Sequence, residues 1–223
     1  MKHNPFSTRK TTPGKIPYHF GSEVISCRKY GDRFYNDLYS SLRTIDFQSQ
    51  IVGGHGTGKT TFLIGLICYL ENRKHTVNHI SLHDGQRLLP RKFWERHIRI
   101  VSQFKIGAIE NLPIDVLDGY EQLSLAQKIR LRLACQKKKC GLLITTHNPA
   151  WRLPVLLHTE PTFQTLQAIV RYLFRDQSDL EPPDENLCRS LFERHQSNIR
   201  SALFDLYDEY EKAASGFGLP PDP

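Results

Sequence analysis

The chain has 223 residues, 39% of them hydrophobic and 24% charged, with a formal net charge of +7. That is room for one α/β core and a small appendage, with the composition of a globular protein in water. The longest apolar stretch, Phe62–Leu70, is far too short to cross a bilayer, and Met1-Lys2-His3-Asn4-Pro5 lacks the apolar core of a secretory signal, so a cytoplasmic protein is expected.

In chain order, Pro5, Pro13, Gly14, Pro17 and Gly21 mark an extended opening segment whose one apolar knot is Ile16-Pro17-Tyr18-His19-Phe20. Phe34, Leu38, Leu42 and Ile45 predict a helix over residues 32–46. Gln48–Val52 reads as a strand, and the apolar run from Phe62 to Leu70 as a helix buried against a sheet. Strands are expected over Val77–Leu82, Leu112–Asp118, Leu142–Thr146 and Val155–His158, the second of these apolar except for Asp115. Between them, Phe93, Trp94, His97, Ile100, Val101 and Phe104 space a helix; Leu125, Ile129 and Leu133 mark another, which Gly141 is expected to end. This alternation implies a mostly parallel sheet covered on both faces, with its site at the carboxyl ends of the strands.

From Thr162 the pattern is helix only. Phe163, Leu166, Ile169, Val170 and Leu173 form one stripe; Leu187, Leu191 and Phe192 a second; Ile199, Ala202, Leu203, Leu206, Tyr207 and Tyr210 a third. The expected organisation is an N-terminal segment and helix over 1–47, a core over 48–161, a helical unit over 162–213 and a tail over 214–223. The five cysteines (Cys27, Cys68, Cys135, Cys140, Cys188) show no C-x-x-C pair and no paired spacing, and reduced thiols without a metal or disulfide role are expected. Six basic residues and no acid lie between Gln122 and Cys140, at Lys128, Arg130, Arg132, Lys137, Lys138 and Lys139. They are read as a solvated helix face or as a contact for nucleic acid, an acidic protein or a second copy of the chain.

The strongest signal follows the Gln48–Val52 strand. Gly53-Gly54-His55-Gly56-Thr57-Gly58-Lys59-Thr60-Thr61 satisfies G-x-x-x-x-G-K-[ST] in full. A glycine-rich loop at a helix N-terminus turns successive N–H groups toward an anion, Lys59 would reach the β- and γ-phosphates, and the Thr60 hydroxyl would help hold Mg²⁺. Asp118 ends an apolar strand and is the candidate metal-orienting acid. The position after it is Gly119 where many ATPases carry a catalytic glutamate, which leaves Glu121 as the nearest carboxylate able to position water. Thr145, Thr146, His147 and Asn148 end the next strand, where a polar group can sense the γ-phosphate; Thr146 is taken as the candidate. Arg200, near the start of the last helix, opposes the helix dipole and suits a phosphate contact.

With these residues in order, the chain resembles a compact AAA+-like P-loop ATPase. The resemblance implies a P-loop NTPase core of α/β class with a mostly parallel sheet and a small C-terminal three-helix lid. It also implies ATP and Mg²⁺ as ligands, Lys59 and Thr60 in Walker A, Asp118 in Walker B, Thr146 or Asn148 as sensor 1 and Arg200 as sensor 2. Ser197 stands where such lids usually carry glycine. The function expected is a slow ATPase serving as a nucleotide-dependent switch or assembly factor, with self-association in keeping with such a family. The alternatives are a nucleotide-regulated accessory module for DNA and a small-molecule P-loop kinase. Ile144-Thr145-Thr146-His147 also looks like the histidine switch of ABC-type ATPases, but no L-S-G-G-Q is present.

Overall fold

The computed structural model describes residues 4–13, 18–20, 23–25, 32–104, 111–177 and 180–216. The chain opens with β1 (Tyr18–Phe20) and β2 (Glu23–Ile25), a small antiparallel hairpin where only extended chain is expected. Then come α1 (Asp32–Thr44), β3 (Gln48–Val52), α2 (Lys59–Asn72), β4 (Val77–Ser81), α3 (Arg91–Gln103) and β5 (Ile114–Asp118). After them lie α4 (Leu125–Lys138), β6 (Gly141–Thr146), β7 (Val155–His158), α5 (Phe163–Phe174), α6 (Glu185–Arg194) and α7 (Ile199–Gly216). The apolar knot at Ile16 and Pro17 lies outside the described residues.

Strands β3 to β7 form one parallel sheet in the order β4-β5-β6-β3-β7. Successive side chains of a strand point to opposite faces, and each face has its own cover. On one side α1 and α2 bring Tyr35, Tyr39, Leu42, Phe62, Leu63, Leu66 and Leu70 against Ile114, Val116 and Leu143. On the other, Phe93 of α3 and Leu131 and Cys135 of α4 meet Leu117, Leu142 and Ile144. From β3 the chain runs through α2 to the far edge at β4, while β7 adds on the opposite side of β3, so the direction of winding reverses beside the glycine-rich loop that follows β3. A crevice at the carboxyl ends of the strands belongs at such a reversal.

Two local expectations are corrected. Leu125, Ile129 and Leu133 are 73%, 50% and 59% exposed, because α4 buries Leu131 and Cys135 instead. Gly141 does not end α4: Lys139 does, in the left-handed region at φ 50°, and Gly141 opens β6 where an added Cβ would sit 2.8 Å from Phe47 Cβ.

The three C-terminal helices share an apolar core built from Leu166, Ile169, Leu173, Leu191, Ala202 and Leu206. Thr162 caps α5 with a reciprocal capping box through Thr165, and Asp184 caps α6. Phe6 is buried in the same core, 5.6 Å from the Phe174 ring, and Asn4 donates to Tyr207 O and Glu211 Oε1. The opening residues are thus stitched into the helical unit.

One buried polar cluster lies at the amino end of β5. Asp115, fully buried, accepts from His97 Nδ1 at 2.6 Å and Asn78 Nδ2 at 2.7 Å. The hydrogen bond it donates to Asp115 raises the His97 imidazole to about 9 against the cost of burial, so the buried carboxylate is paired as burial requires.

Candidate functional site

The loop between β3 and α2 has the conformation its glycines permit: Gly56 and Gly58 take φ 69° and 94°, and Gly58 is the residue immediately before α2. Two close approaches lock it. A Cβ on Gly53 would fall 2.0 Å from Thr159 Oγ1, and one on Gly56 would fall 1.8 Å from Asn198 Oδ1. Thr159 follows β7 and Asn198 precedes α7, so the loop is held between the sheet edge and the helical unit. Thr57 adds a hydroxyl contact of 2.6 Å to Thr159. His55, Gly56, Thr57, Gly58, Lys59, Thr60 and Thr61 line one cleft of about 550 Å³; Gly53 and Gly54 lie behind it and present their carbonyls to Lys59.

Lys59 Nζ donates to Gly53 O at 2.7 Å and Gly54 O at 2.6 Å. Burial pushes its ammonium below the ordinary 10.5, opposed by the Glu121 and Asp118 carboxylates and helped by Arg200. The Thr60 hydroxyl donates to Asp118 Oδ2 at 2.7 Å, and the Thr145 hydroxyl to Asp118 Oδ1 at 2.5 Å. Thr145 in turn accepts from Gly119 N at 2.9 Å. Three elements therefore converge on one carboxylate: the start of α2, the end of β5 and the end of β6.

Thr146, the sensing candidate, is not in that line. Its hydroxyl donates to Asn148 O, and it does not line the cleft. Strand parity decides this. Asp118 shares the α2 face of its strand with Ile114 and Val116, and on β6 the residue sharing Leu143's side is Thr145. The parity of Asp118 was the signal that distinguishes the two threonines.

Glu121 lies in a single 3₁₀ turn, Tyr120–Gln122, and enters the cleft. Its Oε1 is 3.3 Å from His147 Nε2, and its Oε2 is buried without a hydrogen-bond partner among the described residues. A buried carboxylate oxygen left in this way is costly unless a donor comes to it, which is the requirement of a group that orients water. His147 stands at the cleft wall with its ring 3.9 Å from that of His55. Burial lowers its imidazole below the ordinary 6.5, with Lys59 and His55 adding to the effect and Glu121 and Asp118 opposing it.

Gly119 explains why no carboxylate follows Asp118 directly. Its φ is 84°, and an added Cβ would lie 3.0 Å from the Leu82 carbonyl oxygen. The same backbone is tied by Leu82 N donating to Asp118 O at 2.8 Å.

Arg200 reaches the cleft from the first turn of α7, with Ile199, Leu203 and Phe204. Asn198 Oδ1 caps that helix by accepting from Ser201 N at 3.1 Å. Ser197 adopts φ 68°, the left-handed backbone that glycine takes most readily. Thr8, Thr11, Thr12 and Pro13 of the opening segment also line the cleft, a role their composition does not signal. Of the basic run, Lys128 donates to Glu121 O, Arg130 lies 4.3 Å over the Trp94 ring and Arg132 donates to Trp151 O and Arg152 O. Lys137, Lys138 and Lys139 remain at the exposed end of α4.

The arrangement is a P-loop NTPase-like α/β core, with a hydroxyl–carboxylate pair suited to a hard cation, an ammonium and a guanidinium suited to phosphate, and a carboxylate suited to water. No family model matches the chain, and no curated protein matches it. Among solved structures it is similar to that of C. elegans PCH-2, with a TM-score of 0.47 and 12% identity, over 82% of this chain and 71% of that one.

Proposed function

We propose that the chain is an ATP-binding, AAA+-like protein that hydrolyses nucleotide slowly and uses it as a conformational switch or assembly signal. The observation that carries the reading is the convergence of Thr60, Asp118 and Thr145 beside Lys59 at the mouth of the phosphate loop. Thr60 and Asp118 would hold Mg²⁺ between them, the former directly and the latter directly or through water. That ion would supply charge neutralisation at the phosphates. The loop N–H groups and Lys59 would bind the phosphates, with Lys59 exchanging its two loop carbonyls for phosphate oxygens.

Glu121 is the chain's water-orienting carboxylate, and its turn is fastened by Lys128 at the Glu121 carbonyl. Thr145, rather than Thr146, would transmit the state of the site, because its hydroxyl ties Asp118 to the Gly119 backbone. Arg200 and Asn198 make the helical unit sensitive to what the loop holds, since both abut Gly56.

The test is phosphate release and nucleotide binding by wild type, Lys59→Ala and Glu121→Gln, with and without duplex or single-stranded DNA. Lys59→Ala abolishes binding. Glu121→Gln retains binding and lowers turnover by about 10²–10⁴-fold. Unchanged turnover in the Glu121 variant removes that residue from the mechanism, and nucleotide binding that survives Lys59→Ala removes the phosphate-loop reading. Turnover that requires DNA, and is lost on charge reversal at Lys137, Lys138 and Lys139 together with DNA binding, would move the protein to the DNA-accessory reading.

A further inference from the structure

The buried cluster at the amino end of β5 gathers more than a histidine and a carboxylate. Asp115 Oδ2, which takes the His97 Nδ1 contact of 2.6 Å, is also 3.5 Å from Cys135 Sγ and 3.8 Å from Cys140 Sγ. The ligand atoms of His97, Asp115 and Cys140 all lie within 4.8 Å of one another. The Cys135 sulfur joins the cluster through its Asp115 contact, and all four residues are buried. We propose that His97, Asp115, Cys135 and Cys140 form a structural zinc site.

The donor set argues for a metal over a hydrogen-bonded knot. Thiols are weak donors, and a carboxylate that needed only hydrogen bonds would be served better by hydroxyls or backbone N–H groups. An imidazole, a carboxylate and a sulfur within 4.8 Å of one another, with a second sulfur beside the same carboxylate oxygen, are the ligand types that tetrahedral zinc takes.

The distances agree. Bonds of about 2.3 Å to sulfur and about 2.0–2.2 Å to oxygen, at a tetrahedral angle, place sulfur about 3.5–3.7 Å from oxygen. The two sulfur–Oδ2 distances, 3.5 Å and 3.8 Å, match that edge. His97 must shift by about 0.8 Å outward along a 2.6 Å hydrogen bond, to open a nitrogen–oxygen edge of about 3.4 Å, and the Cys135 sulfur, which stands outside the 4.8 Å grouping of the other three, must turn toward them to complete the tetrahedron. Binding would release the two thiol protons and the proton shared between His97 and Asp115.

The surroundings fit a closed site. Asn78 Nδ2 donates to Asp115 Oδ1 at 2.7 Å and fixes the carboxylate from behind, as the partners of metal ligands do. Cys135 and Cys140 are spaced C-x₄-C, within the usual C-x₂₋₄-C range, and Lys139 at φ 50° turns the chain so that both sulfurs face inward. Cys140 N also donates to Cys135 O at 2.9 Å. With all four donors buried there is no position for water or substrate, so the ion would be structural. Asp115 lies three residues before Asp118, at the end of the sheet away from the nucleotide cleft. The site would clamp α3 and the α4–β6 turn to the sheet.

The test needs no nucleotide. Full-length protein from zinc-supplemented culture is dialysed against EDTA, and bound metal is measured by mass spectrometry. About one equivalent of zinc should remain, and cobalt-loaded protein should show a sulfur-to-cobalt charge-transfer band with the strong visible absorption of tetrahedral cobalt. Asp115→Asn, which keeps the size of the side chain, should lose the metal. Cys68→Ser, away from the cluster, should keep it. Folded wild type that holds less than about a tenth of an equivalent after either loading, without the charge-transfer band, overturns the proposal. Zinc that persists at full occupancy in folded Asp115→Asn with both Cys135 and Cys140 replaced by serine also overturns it.

Discussion

Placing a glutamate directly after Asp118 should not make this protein a faster ATPase; it should make it a less stable one. Gly119 and Gly85 take nearly the same backbone, φ 84° and 83°, but a Cβ on Gly85 meets nothing within 4 Å while one on Gly119 lies 3.0 Å from Leu82 O. Gly85→Ala therefore isolates the conformational cost. A left-handed L-residue costs about 1–2 kcal/mol, from which about 0.4–1 kcal/mol is recovered through the less flexible unfolded chain, leaving about 0.5–1 kcal/mol. Gly119→Ala carries the same term and also forces apart backbone tied by Leu82 N to Asp118 O at 2.8 Å and by Gly119 N to Thr145 at 2.9 Å. Losing one such hydrogen bond adds about 0.5–1.5 kcal/mol, for a total of about 1–2.5 kcal/mol. For a chain of this size each kcal/mol lowers the melting temperature by about 2–4 °C. Thermal unfolding should then place Gly85→Ala about 1–4 °C below wild type and Gly119→Ala about 2–10 °C below it. Gly119→Glu should fall with Gly119→Ala and show no gain in phosphate release. Equal shifts for the two alanine variants would refute the close-contact argument, and a Gly119→Glu enzyme that outpaces wild type would refute the assignment of Glu121.

Ser197→Gly should raise stability by roughly 0.5–1 kcal/mol, read as an upward shift in melting temperature, because it relieves a serine held at φ 68°. No change would mean that the serine sits there without strain. A pH series tests the cleft: an anionic ligand favours the charged imidazole, so binding raises the depressed His147 value and takes up protons. Affinity for a non-hydrolysable adenine nucleotide should therefore strengthen as pH falls through the ordinary histidine value of 6.5 and below, and be flat above it. His147→Asn should lose that part of the slope, leaving only the titration of the nucleotide phosphates. Identical slopes in the two proteins would remove His147 from the linkage.

Much of the fold was written locally. Gln48–Val52 and Val155–His158 were legible to the residue because alternation and flanking turn residues act over a few positions, and three apolar stripes at helical spacing announced the C-terminal unit. The glycine-rich loop was equally local, being a contiguous run whose glycines permit one backbone shape. Assigning faces was less secure. The stripe Leu125, Ile129 and Leu133 has clean helical spacing, yet it is exposed, because periodicity says that a helix has a side and not which side meets the sheet. The same limit applies to Thr145 and Thr146, since which hydroxyl meets Asp118 depends on a neighbouring strand's parity.

Short-range pattern, then, is enough to specify an alternating α/β chain with a glycine-rich loop after its first core strand and a helical unit behind it. Tertiary structure alone decided what meets what. It brought Thr60, Asp118 and Thr145 onto one carboxylate, set Glu121 beside His147, seated Asn198 and Arg200 on the loop and sank Phe6 into the C-terminal core. It also gathered His97, Asp115, Cys135 and Cys140 from two helices, a strand and a turn. The lone aspartate in an apolar strand and the histidine on an apolar helical face were visible as oddities in the chain. Their meaning lay in contacts between segments distant in sequence, which short-range periodicity does not encode.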